Sequence, residues 1–142
     1  MNTISTFVLV VWPIVGLVTF LAVRSRCQAI VGYLIAGWLV VPIEELVVAG
    51  LPDLDKAFVC CASVLVPSIL FDSHLWTRFR FRLIDVPIVI WCLCTVASSL
   101  SNDLGIYDGL SACLVRVVTW LAPYLLARLY ICSPKDLSLI HI

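Results

Sequence analysis

Arg116 is the residue of this chain whose position most needs a chemical reason. It is the single charged side chain in the apolar run Leu110 to Leu126. A guanidinium inside an apolar membrane helix costs at least about 2.5 kcal/mol even on lenient insertion scales, so it faces neighbouring helices or a wet cavity. It lies six residues into that run, roughly 9 Å along a helix axis, where it could meet an anionic group. The plainer readings are an ion pair with Asp103 or Asp108, or a long side chain snorkelling to the interface.

The other polar residues read as chemistry less well. Arg78, Arg80 and Arg82 alternate with Phe79 and Phe81. Such a strip could touch anionic lipid headgroups, but the simpler reading is a basic loop that fixes topology. Asp72 and His74 have no cysteine or second histidine near them and read as a solvated loop. Glu44 and Glu45 are adjacent, so on a helix they point apart and do not make a catalytic carboxylate pair. Ser98, Ser99 and Ser101 lack a nearby base, and His141 lies in a tail. The seven cysteines, Cys27, Cys60, Cys61, Cys92, Cys94, Cys113 and Cys132, fall mostly within apolar runs without zinc-ligand spacing. They read as small apolar residues. There is no glycine-rich phosphate loop. The sequence therefore predicts no catalytic residue set, no metal site and no cofactor.

The elements that would position Arg116 are apolar helices. Hydrophobic residues make up 63% of the 142 and charged ones only 13%, with a mean hydropathy of +1.13. Soluble domains run nearer 45–50% and about 25%, and a water-soluble fold of this size could not hide so much apolar surface. Nine basic residues balance nine acidic ones, so no net field favours nucleic acid. The runs are apolar on every side, which disfavours a membrane barrel. Five spans are expected, at about 4–23, 27–43, 57–71, 86–100 and 110–126, forming one all-α transmembrane bundle over residues 1–142. Ile4 to Val23 reads as a spanning helix, not a signal peptide. Pro13 and Pro67 are expected to bend their helices. Asp53 or Asp55 suits the cap of the third helix and Asp85 that of the fourth. Gly32 and Ala36, with Gly37 beside them, form a small-residue face. The tryptophans read as packing and interface anchors, Trp76 at a boundary.

Charges sort by loop. Arg24 and Arg26, then Arg78, Arg80 and Arg82, then Arg128 and Lys135 fall on one side; Glu44, Glu45, Asp53, Asp55, Asp103 and Asp108 fall on the other with Lys56 as the one base. Basic loops stay in the cytoplasm, which predicts an N-terminus outside and a C-terminus inside.

One stretch goes beyond generic hydrophobicity. Phe81-Arg82-Leu83-Ile84-Asp85-Val86-Pro87 leads into a Trp-containing helix ending in Ser98-Ser99-Leu100-Ser101-Asn102. Gly105-Ile106-Tyr107-Asp108-Gly109-Leu110, the Arg116 helix and Trp120-Leu121-Ala122-Pro123-Tyr124-Leu125-Leu126-Ala127-Arg128 follow. This order resembles the N-terminal part of bacterial O-antigen ligase and polymerase-like membrane proteins, over about 51–136. The resemblance implies a multi-pass protein of the bacterial inner membrane that takes part in glycan transfer from an undecaprenyl-diphosphate carrier, with Arg116 touching the diphosphate. The outward loop that carries the family's catalytic arginine and histidine residues has no counterpart in this sequence. The chain is therefore expected to be the front of a longer or split enzyme, inactive alone, partnered by the bilayer and by the rest of that enzyme or a larger membrane complex. The alternatives are a small transporter subunit and a non-catalytic assembly partner.

Overall fold

The computed structural model describes residues 3–43 and 54–131. Glu44, Glu45, Asp53, Cys132, Lys135 and His141, weighed above, lie outside the described residues.

Among the described residues seven α-helices carry the fold: α1 Thr3–Ala22, α2 Arg26–Val40, α3 Lys56–Phe71, the short α4 Ser73–Thr77, α5 Val86–Ser101, α6 Ile106–Arg116 and α7 Ala122–Tyr130. A 3-10 turn, Leu83–Asp85, leads into α5, and a π-helical turn, Val117–Leu121, joins α6 to α7 into one continuous helix. Three helical stretches among the described residues are long and apolar enough to cross a membrane: Thr3–Ala22, Leu83–Ser101 and Ile106–Tyr130. Only 17% of the residues in the most apolar window of each are buried within the bundle, and large side chains such as Ile4, Phe7, Ile90, Leu93, Leu110 and Trp120 stay exposed. α2 and α3 are shorter, at 15 and 16 residues.

The helix boundaries follow local chemistry. Ser25 caps α2 by accepting from the Gln28 N–H at 3.5 Å, and Asp55 caps α3 by accepting from the Phe58 N–H at 2.6 Å. The α2 helix stops at Val40, three residues before the apolar run ends. Val41 precedes Pro42 and adopts extended backbone, as the proline ring demands of the residue before it. Helix α6 begins at Ile106, four residues before the expected start, and α7 runs on to Tyr130. Apolar counting stops at Asp108 and Arg128, but the backbone does not. Pro13 and Pro67 lie inside α1 and α3 without ending either helix.

The α1, α2 and α3 helices form one packed unit. Gly16 on α1 and Gly37 on α2 let the three approach. A Cβ at Gly37 would lie 2.6 Å from Cys60 Sγ and 3.0 Å from Trp12 Nε1, and one at Gly16 would lie 2.9 Å from the Tyr33 ring. Gly32 meets nothing within 4 Å, so the close approach uses Gly37 and not the Gly32–Ala36 face. Phe20, Ile30, Tyr33, Val64 and Leu126 form the deepest cluster. The α5 and α6 helices make a hairpin, tight where Gly109 faces Ser99 and Val96. It joins the first unit through the π turn and α7, both packed on α3.

The π turn has a local cause. Pro123 has no N–H to give Thr119 O, and its ring crowds that carbonyl. The backbone widens, with Ala122 N bonding Val117 O. The stranded Thr119 carbonyl accepts from the Cys61 thiol of α3 at 3.7 Å. A proline on one helix is thereby answered by a cysteine on another.

Candidate functional site

The α6 helix aligns Asp108, Ala112 and Arg116 four residues apart on one face, with Trp120 continuing it in the π turn. Ala112 keeps the middle of that face low. Two grooves border this ridge. One, of about 570 Å³, is lined by Trp38, Asp55, Ser111, Thr119 and Trp120 as well as the ridge itself. The other, of about 470 Å³, lies towards α5 and is lined by Trp91, Cys94, Thr95 and Ser98. Arg116 and Asp108 belong to both.

Arg116 is exposed to these grooves. Its guanidinium carbon stands 5.5 Å from the Trp91 ring centroid, within reach of a cation–π contact. Trp91 in turn packs edge-on against Trp120 at 5.7 Å. Among the described residues Arg116 has no ion-pair partner. Asp108 lies two turns away, about 12 Å along the axis, too far for the expected pair. Asp103 sits in the turn beyond α5, with a left-handed backbone at φ 55°. The arginine also lies further from the start of its helix than its apolar run suggests. It is ten residues from the start of the Ile106–Tyr130 helix, roughly 15 Å.

The sharpest polar constellation lies elsewhere, and sequence reasoning missed it. Asp85 is fully buried. It accepts from the Arg128 guanidinium, from the Tyr124 hydroxyl at 2.5 Å and from the Arg82 backbone N–H at 2.7 Å. Asp85 stands at the expected N-cap position but makes no side-chain cap to α5; its carboxylate turns back to α7 instead. Arg128 also lies over the Phe79 ring at 4.9 Å. Nothing in one sequence joins residues 39 and 43 positions apart.

Asp72 is a second correction. It is no solvated loop residue: it accepts from the Tyr130 hydroxyl at 2.8 Å and pairs with Arg26 at 3.7 Å. Ser68 sits beside it, 3.1 Å from the Tyr130 hydroxyl and accepting from Trp76 Nε1 at 2.9 Å. His74 stays exposed. Ser99 donates to Gly105 O and Ser101 to Ser98 O, so both hydroxyls serve the α5–α6 turn. Cys27, Cys60, Cys61 and Cys92 are buried, Cys113 is half-buried and Cys94 is exposed. Among the described residues no three potential ligands cluster as a metal site would need.

No known family model, curated protein or solved structure matches this chain.

The two constellations use arginine in opposite ways. Arg128 spends its charge inside the fold on a buried carboxylate. Arg116 keeps its donors turned to open space between tryptophans. Only the second arrangement can receive an anion from outside.

Proposed function

We propose that this chain is a polytopic membrane protein of five crossings whose Arg116 groove receives the diphosphate headgroup of a lipid-linked glycan. The observation that carries this reading is the mid-helix arginine facing open grooves without an ion-pair partner among the described residues. A guanidinium in that position is stable only where water or an anion reaches it, and its planar donors match phosphate oxygens. Tryptophan faces beside it suit sugar rings or lipid chains equally well. The resemblance to the N-terminal part of O-antigen ligase and polymerase-like proteins supplies the substrate class, undecaprenyl-diphosphate-linked glycan, and the bacterial inner membrane as the location. On this reading the chain binds and orients the carrier, and transfer falls to the outward loop that carries catalysis in the proteins it resembles.

The five-crossing topology, N-terminus outside and C-terminus cytoplasmic, is part of the same proposal. Arg26 meets Asp72, and Asp85 meets Arg128, which gathers the basic segments at one end of the bundle. The Lys56 ammonium donates to Trp38 O at 2.6 Å and Asp55 and Asp108 share one groove, which gathers the acidic segments at the other. That division agrees with basic loops in the cytoplasm.

A second reading is an anion-conducting subunit or a non-catalytic assembly partner, favoured by Arg116 bordering grooves on two sides. The test is native mass spectrometry of the purified chain in nanodiscs doped with undecaprenyl diphosphate. Wild type is expected to retain the diphosphate lipid, and Arg116→Gln to lose it at least tenfold, with Arg116→Lys intermediate. Equal retention by wild type and Arg116→Gln rejects the lipid-diphosphate reading. Anion flux into liposomes that disappears in Arg116→Gln would establish the channel reading instead.

A further inference from the structure

Charge at the basic end of the bundle is unevenly spent. Both described carboxylates there are consumed internally: Asp72 by Tyr130 and Arg26, and Asp85 by Arg128, Tyr124 and the Arg82 N–H. Arg24, Arg78, Arg80 and Arg82 are exposed, and none of them forms an ion pair among the described residues. Three of these lie two residues apart in a segment that leaves helix after Thr77, with Arg82 in extended backbone. Phe79 turns inward beneath the Arg128 guanidinium. Phe81, Leu83 and Ile84 stay 59%, 91% and 72% exposed.

We propose that the segment Arg78 to Ile84 is a docking face for anionic phospholipid headgroups, its arginines on the phosphates and Phe81, Leu83 and Ile84 in the acyl boundary. Water is a poor solvent for three large apolar side chains at that exposure. An acidic protein or a nucleic acid would satisfy the guanidinium groups but not Phe81, Leu83 and Ile84. A bilayer interface satisfies both at once, through buried apolar area and attraction to anionic lipid. The segment is also held in place from both sides, by Phe79 against Arg128 and by Asp85 within its own cluster. Little ordering is therefore required when lipid binds.

This inference rests on the membrane reading but not on the lipid-diphosphate reading of Arg116, which concerns the grooves along α6. The experiment uses the whole chain in nanodiscs of equal phosphatidylcholine and phosphatidylglycerol. Native mass spectrometry counts the lipids that stay bound. Wild type is expected to hold phosphatidylglycerol several-fold above its bulk share, falling towards the bulk share as salt is raised, because the contacts are interfacial and screened. The R78Q/R80Q/R82Q variant should bind at the bulk ratio, and R78K/R80K/R82K should keep the enrichment. Wild type at the bulk ratio, or an enrichment that survives in the glutamine variant, overturns the proposal. If the glutamine variant does not fold, the salt series on wild type decides, and an enrichment insensitive to salt overturns it. Retention of undecaprenyl diphosphate without phosphatidylglycerol enrichment removes this inference alone. The converse removes only the Arg116 reading.

Discussion

Arg116 and Arg128 lie on one helix, and their surroundings rather than their identity decide what each does. Arg128 closes on a carboxylate with no exposure to solvent. Removing the negative charge leaves the largely buried Arg128 guanidinium without a counter-ion in that cluster, which costs more than deleting one donor. Asp85→Asn is therefore expected to lower the melting temperature of the purified protein clearly more than Tyr124→Phe. The double variant Asp85→Leu with Arg128→Met should recover part of the loss, because an apolar pair no longer strands a charge. An Asp85→Asn protein that melts with wild type would mean the cluster contributes nothing to stability. At this scale the sequence was half legible. A lone charge in an apolar run exposes Arg116 at once. Asp85 looked like a cap because Val86-Pro87 after it makes a plausible helix start. Its true partners come from a helix far along the chain, and one sequence holds no sign of that distance.

Helices were legible as apolar runs, and their ends less so, because polarity and backbone do not change at the same residue. Pro42 trims α2 inside an apolar stretch, while α6 and α7 continue through Asp108 and Arg128. The small-residue face was nearly right but rotated: Gly37 meets the neighbouring helices and Gly32 does not. The two glycines make a controlled comparison on one helix. Gly32→Ala should raise stability by up to about 1 kcal/mol through helix propensity alone. Gly37→Ala gains the same propensity but drives a methyl into Cys60 and Trp12, so it should lower stability by about 1–2 kcal/mol. Thermal unfolding in one detergent checks both. If the two substitutions act alike, the tight crossing of α1, α2 and α3 is wrong. Gly16 carries the same role on α1 and went unnoticed, since a single glycine in a membrane helix is common.

For the whole molecule, charge and packing describe the same division. Basic segments and the two internal carboxylate clusters share one end; Asp55, Asp103 and Asp108 share the other. Loop charges predict such a division, because the loops alternate in sign along the chain. What they could not show is that α7 binds the α5–α6 hairpin to the first three helices through Asp85 at one edge and Tyr130 at another. Reporter fusions test the arrangement directly. A green fluorescent protein joined after Arg80 should fluoresce, and alkaline phosphatase joined after Asp103 should be active, because the two positions are expected on opposite sides of the membrane. Activity of one reporter type at both positions would overturn the five-crossing topology.

The π turn between Arg116 and Ala122 sets the phase of the last helix. Each residue of an α-helix advances the azimuth by about 100°, and the wide turn inserts one residue's worth of slack. The face that holds Arg116 to the grooves and the face that holds Tyr124 and Arg128 to Asp85 are related through that slack. Deleting any one residue of Val117–Leu121 should let the helix run regularly and swing Tyr124 and Arg128 off Asp85, although no residue of the groove ridge before it or of the Asp85 cluster has changed. Substitutions in the turn that keep its length should be far milder. In this segment chain length, more than side-chain identity, is the quantity the fold has to preserve.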